Sequence, residues 1–176
     1  MQLFNAVKRG LSEGWEEMQI EQLYTMYMND LYRYLYSLCR NHSTTEDLLQ
    51  DTFYKAHITL LTNNITDIKP WLFKVAYYTY IDFSRKEKRT ILADTIDQIN
   101  INSPETIVTE RDSLEVLLRF LDQIKPIEQQ AILLCDVHDC TIAQAATILN
   151  VKINTLKSHL TRGRKKVRAL LQKEGY

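Results

Sequence analysis

The sharpest chemical spacing in the chain is Cys135, His138 and Cys140, a C-x2-H-x-C run that His159 could join. Two thiolates and two imidazoles would suit zinc or a redox site. A plainer reading competes. Cys135 falls in an apolar helical run and Cys140 directly precedes a helix start, where a free cysteine behaves as a small buried hydrophobe. That second reading is preferred, so the expectation is no metal, no cofactor and no catalytic residue. His42 and His57 are scattered, and neither a glycine-rich phosphate loop nor a nucleophile elbow is present.

The basic residues point elsewhere. Lys152, Lys157, Arg162, Arg164, Lys165, Lys166, Arg168 and Lys173 give residues 141–173 eight positive charges and no acid. Residues 90–140 carry ten acids and three bases, so a neutral total of 22 basic and 22 acidic residues hides two opposed fields. An acid-free basic end suits a polyanion such as DNA, since a carboxylate there would repel phosphate. A second feature fits the same partner. Six of the thirteen residues from Trp71 to Phe83 are aromatic, and the run continues into Arg85-Lys86-Glu87-Lys88-Arg89. Tyr77 and Tyr80 fall off the inner stripe, and exposed rings beside cations suit unstacked bases, with half-buried tyrosines as the alternative.

The elements that position these residues read as helical almost throughout, because apolar residues recur at three and four. Leu23, Met26, Tyr27, Leu31, Tyr34, Leu35 and Leu38 form a first stripe ending near Asn41. Ser43-Thr44-Thr45-Glu46 predicts a capping box at the start of a second helix, with Leu48, Leu49, Thr52, Phe53, Ala56 and Leu60 inward. Pro70 opens a third, whose inner stripe is Trp71, Leu72, Val75, Ala76, Thr79 and Phe83. Leu114, Leu117, Leu118 and Leu121, then Ile127, Ala131, Ile132 and Leu134 after Pro126, mark two more. Thr141-Ile142-Ala143-Gln144 predicts another capping box and a short helix with Ile142, Ala145, Ala146 and Leu149 inward. A turn at Asn150-Val151-Lys152 leads to a longer helix with Ile153, Leu156, Leu160, Gly163, Val167 and Leu170 inside. Positioning helix, tight turn and recognition helix make a helix-turn-helix.

The fold expected is therefore all-α: two small helical domains joined by a linker, the second a helix-turn-helix domain. The boundaries read as an N-terminal extension 1–17, a helical domain 18–89, a linker 90–109 containing Asn100, Asn102, Ser103 and Pro104, and a second domain 110–176. No apolar run approaches the ~18 residues of a membrane span, and Met1 to Glu17 lacks a signal-peptide layout. Three cysteines without framework spacing argue against an oxidising compartment. A cytoplasmic protein without membrane insertion is expected.

Three blocks, in order and at consistent spacing, carry a resemblance. They are Glu46-Asp47-Leu48-Leu49-Gln50-Asp51-Thr52-Phe53 with Lys55-Ala56, Trp71-Leu72-Phe73-Lys74-Val75-Ala76 with Asp82 and Arg85-Lys86, and Thr141 to Val167. From about Ile20 to Leu171 the chain resembles the extracytoplasmic-function (ECF) sigma factors of bacterial RNA polymerase, compact members of the sigma-70 family that keep only the second and fourth conserved regions. The resemblance implies a protein that binds core RNA polymerase, directs it to minus-ten and minus-thirty-five promoter DNA and helps melt it. It implies core-polymerase contacts at Asp47, Gln50 and Asp51, and minus-ten contacts at Trp71, Lys74, Tyr77, Tyr78, Arg85, Lys86, Lys88 and Arg89. Minus-thirty-five contacts fall at Asn154, Thr155, Lys157, Ser158, Thr161, Arg162, Arg164, Lys165 and Arg168, the last three of them nearer phosphate. Tyr78 stands where many members have Asn. An anti-sigma factor is implied as a further partner. The alternative is a stand-alone helix-turn-helix regulator, which leaves the first domain unexplained; a helical adaptor, with no steep salt dependence, is the remaining class.

Overall fold

The computed structural model describes residues 16–93 and 110–175, and among them every regular element is helical. The expected extension lies outside the described residues up to Trp15, as does the expected linker from Asp94 to Thr109. Helices α1 (Glu16–Cys39), α2 (His42–Leu60) and α3 (Ile68–Ala93) form an N-terminal group. Helix α3 runs past the boundary expected at 89. Helices α4 (Glu110–Leu121), α5 (Pro126–Ile132), α6 (Ile142–Leu149) and α7 (Ile153–Lys173) form the second group, with a π-helical turn Leu133–Val137 continuing α5.

Leu31, Tyr34 and Leu35 of α1 are fully buried against Leu48, Leu49, Phe53 and Ala56 of α2 and Leu72 and Ala76 of α3. Met26 departs from its expected stripe and is 66% exposed. It lines an open groove with Leu60, Leu61 and Ile65, where α2 has ended and no longer covers α1. The turn into α2 also differs from the Ser43 capping box. Arg40 takes a left-handed φ of 54°, and Asn41 becomes the cap, its Oδ1 accepting the Thr44 N–H at 2.9 Å. The helix therefore starts one residue before Ser43, and Asn caps at least as well as Ser.

In the second group the expected capping box is present in full. Thr141 Oγ1 accepts the Gln144 N–H at 3.2 Å and Gln144 Oε1 accepts the Thr141 N–H at 2.9 Å. Asn150 closes α6 in the left-handed region, one of the few side chains that enter it readily. At the α5–α7 crossing, a Cβ on Gly163 would stand 2.9 Å from Ile132 Cδ1 and 3.2 Å from the Glu128 carbonyl, so glycine is what lets these helices approach. Ile153, expected inside, is 47% exposed at the α7 start, while Ile148 of α6 is fully buried.

The two groups share a seam. Tyr34 Oη donates to Gln130 Oε1 at 2.9 Å, both residues buried. Arg40 Nη2 reaches the Leu118 carbonyl at 3.1 Å and Asp122 Oδ1 at 2.9 Å. Gln144 Nε2 donates to Asp67 Oδ2 at 3.0 Å, and α3 packs along α6. His138, 4% exposed, lies edge-on to Tyr34 with centroids 5.6 Å apart, and its ring centroid is 5.0 Å from that of Phe73. Burial first of all lowers its pKa to about 4, so its ring is neutral near pH 7.

Candidate nucleic-acid and polymerase interfaces

Helix α7 presents two faces of opposite chemistry. Leu156, Leu160, Gly163 and Val167 are buried. At about 100° per residue, Asn154, Lys157, Ser158, Thr161, Lys165 and Arg168 fall within about 100° of arc on the opposite side. All six are exposed. No acid shares that arc. Thr155, Arg162 and Arg164 are exposed too but flank it. Arg162 Nε lies 3.6 Å from Glu128 Oε1, and its Nη2 pairs with His159 Nδ1 at 3.1 Å. Arg164 forks onto Asp136, Nε to Oδ2 at 3.0 Å and Nη2 to Oδ1 at 2.5 Å. The nine residues expected at the minus-thirty-five element thus divide into an outward stripe of six, Thr155 beside it, and two arginines engaged by acids.

Helix α3 is less open. Trp71, Lys74 and Tyr77 are half-buried, and Lys74 lines a cleft with Ala143, Thr147 and Asn150 of the second group. Burial is the main cause that raises the Tyr77 and Tyr80 hydroxyl pKa values. Tyr78 is 39% exposed. It falls in line along the helix with Trp71, Arg85 and Arg89, whereas Tyr77 lies about a third of a turn away. Arg85, Lys86 and Arg89 are exposed, as is Asp82 between them and Tyr78; the side chain of Lys88 is outside the described residues. Phe73, counted by composition among the surplus aromatics, is fully buried against Tyr34 and His138.

Helix α2 turns Asp47, Gln50 and Asp51 outward, all exposed. With Asn41 as cap, the first turn holds no acid and Asp47 lies beyond it, where interaction with the helix dipole has faded. The same arc carries Tyr54, 68% exposed, and Ile58, 47% exposed, which the motif reading did not single out. Their signal is an apolar residue on an otherwise polar arc. Lys55 instead turns toward α3, donating to Thr79 Oγ1 at 3.1 Å.

The Cys135, His138, Cys140 and His159 set is not assembled as a metal site. His138 faces aromatic rings and His159 pairs with Arg162. Burial pushes the Cys140 thiol up to about 11 and raises Cys135 as well. No group of three or more ligand types that could hold a metal occurs among the described residues.

Comparison with known proteins identifies the family. Residues 23–90 match the model of sigma-70 region 2 and residues 114–167 that of sigma-70 region 4. The ECF RNA polymerase sigma factor SigM of Bacillus subtilis is 34% identical over 155 residues, covering 87% of this chain and 95% of that one. The chain belongs to the ECF sigma factors. RNA polymerase sigma factor SigV of the same organism is 30% identical over 153 residues, with 85% and 89% covered. Among solved structures, the sigma factor RpoE of Bartonella quintana, bound to the anti-sigma factor NepR, superposes with a TM-score of 0.71 at 24% identity over 88% of this chain and 97% of that one. CnrH bound to the cytosolic domain of CnrY gives 0.69 at 19% identity, with 90% and 91% covered. Both share the fold. As a sigma factor, the chain binds core RNA polymerase and directs it to specific promoters for initiation. No described helix is long and apolar enough to cross a membrane.

Proposed function

We propose that this ECF sigma factor divides its work among three exposed helix faces. The arc Asp47, Gln50 and Asp51 of α2 docks on a basic surface of core polymerase. Helix α3 takes the melted minus-ten strand along the line of Trp71, Lys74, Tyr78, Arg85, Lys86 and Arg89, with Tyr77 at its edge and Lys88 within the same basic run. Helix α7 enters the minus-thirty-five major groove with Asn154, Lys157, Ser158, Thr161, Lys165 and Arg168, while Thr155, Arg162 and Arg164 stand beside them. The division into a polymerase-docking, strand-capturing unit up to residue 89 and a duplex-reading unit from 110 follows the same faces.

The observation that carries this reading is the pair of opposed fields: an acidic arc on α2 and an acid-free cationic arc on α7. A protein partner with basic rims suits the first and duplex phosphate the second. The chain itself supplies no chemistry, and bond formation stays with the polymerase. A cytoplasmic site of action follows from that partner. An anti-sigma protein is a further expected partner, since RpoE and CnrH were each solved with a bound partner.

The test is run-off transcription with purified chain and bacterial core polymerase on a library of promoter fragments, without other sigma factors. Start-site-specific transcripts that depend on the chain are expected. Asp47→Ala with Asp51→Ala weakens core binding without loss of helicity, and unchanged core affinity overturns the docking assignment. DNA binding without transcripts favours the stand-alone regulator.

A further inference from the structure

The recognition helix is gripped on both flanks by acids that lie outside it. On one flank, Glu128 of α5 is 1% exposed. Its Oε2 accepts Lys166 Nζ at 2.6 Å and its Oε1 faces Arg162 Nε at 3.6 Å. Burial alone would raise the Glu128 pKa, but the Lys166 hydrogen bond and charge, the Lys125 backbone N–H and Arg162 outweigh it and lower it. The acid is therefore held ionised. On the other flank, Asp136 takes both donors of the Arg164 fork. Asp136 belongs to the π-helical turn that continues α5, and that turn sets its place beside Arg164.

These ion pairs flank the closest approach of α7 to α5. The α5–α7 crossing centres on Gly163, which offers no side chain to interlock. Leu156, Leu160 and Val167 hold the inner face of α7 in the core, and at the Gly163 crossing itself only the flanking side chains can add a rotational restraint. Cations on opposite flanks, each fastened to a fixed acid, oppose roll in either direction. Between those flanks lies the outward stripe of six.

We propose that Glu128 and Asp136 are positioning residues that fix the rotation of α7, so that the six-residue stripe, rather than the flanking cations, faces the duplex. The inference rests on the reading of α7 as the minus-thirty-five helix. It assigns Arg162, Arg164 and Lys166 a different role from Lys157, Lys165 and Arg168. The first three are withheld from phosphate by an acid. For the second three no acid partner is present among the described residues.

The consequence has a sign that plain destabilisation lacks. Releasing the flanking cations should blur sequence readout and at the same time strengthen binding to any duplex, because each cation that meets a phosphate adds about one to the salt slope. The variants are Glu128→Gln, Asp136→Asn and the two combined, in the full chain. Two quantities are read: the ratio of transcription from a promoter with an intact minus-thirty-five element to that from one with the element replaced, and the salt-dependent affinity for non-promoter duplex. The combined variant should lower the ratio about tenfold, raise non-promoter affinity several-fold and steepen the salt slope by one to two. Asp136→Asn, at a partly exposed position, should show the same directions more weakly, and Asp136→Glu should restore the ratio.

An unchanged ratio in both single variants overturns the inference, as does a parallel fall of ratio, non-promoter affinity and helicity. Lys157→Ala serves as the reference. If it lowers the ratio while the acid variants do not, only the positioning role fails. If it too leaves the ratio unchanged, the reading of α7 falls and the positioning role falls with it.

Discussion

Helices α3 and α7 are both assigned to DNA, yet the chain exposes them very differently. The outward face of α7 is open along its length and its inner face is satisfied by α5 and α6. The corresponding face of α3 is half-covered: Trp71, Lys74 and Tyr77 are partly buried, Phe73 is enclosed by His138, and α6 lies alongside. The surface proposed to read duplex is complete within its own group. The surface proposed to capture a strand shares its aromatics with the packing between groups. Aromatic residues serve both purposes because their faces accept a base or a neighbouring ring with similar geometry.

The largest effect on stability expected from this contrast is at His138. Its folded pKa is depressed, so the unfolded chain takes up the proton first and stability falls as pH drops from 6.5 toward 4. The loss is at most about 3 kcal/mol at the acid end. Asp30, Arg33, Lys69 and Asp139 set the local field but do not reverse the effect of burial. Urea midpoints across that range should decline more steeply for the native chain than for His138→Gln, and parallel curves would refute the assignment. Next comes Gly163→Ala, which forces Ile132 or the α5 backbone to shift at about 1–3 kcal/mol of overpacking. This is offset in part by about 1 kcal/mol of helix propensity gained on replacing a mid-helix glycine. It should also impair minus-thirty-five discrimination more than core binding; an equal loss of both would contradict the independence of α7.

Tyr34→Phe removes the donor to a buried Gln130 and should cost about 1–2 kcal/mol by leaving that amide under-satisfied. Increased binding of a hydrophobic dye would report a loosened seam. The smallest effect on stability is at Tyr78→Ala, within about 0.5 kcal/mol because the ring is exposed. Its binding to single-stranded minus-ten DNA should nevertheless weaken, and a wild-type affinity there would move the stacking role to Tyr77.

The same contrast explains what was legible beforehand. The helix-turn-helix could be read in detail, including the Thr141–Gln144 box and the outward stripe, because local spacing and capping determine it. The seam could not. Nothing near Phe73 in sequence shows that its partner is His138, and Gln130 gives no local sign that it meets Tyr34. The Ser43 box failed for a local reason, since Asn41 is an equally good cap placed slightly earlier. Arg162 and Arg164 matched a basic motif, but the acids that hold them come from α5 and its π-helical turn.

The seam also has a reach. Elements centred at minus ten and minus thirty-five are about 25 base pairs apart, roughly 85 Å at about 3.4 Å per pair. Helices α3 and α6 touch, and α7 follows α6 after three residues, so with helices about 10–12 Å across their reading faces lie much closer than that. If α3 and α7 read the two elements as proposed, engaging both at once requires the Tyr34–Gln130, Arg40–Asp122 and Gln144–Asp67 bonds to part. On the proposed assignment of α3 and α7, the folded seam is therefore a latch that promoter engagement has to release.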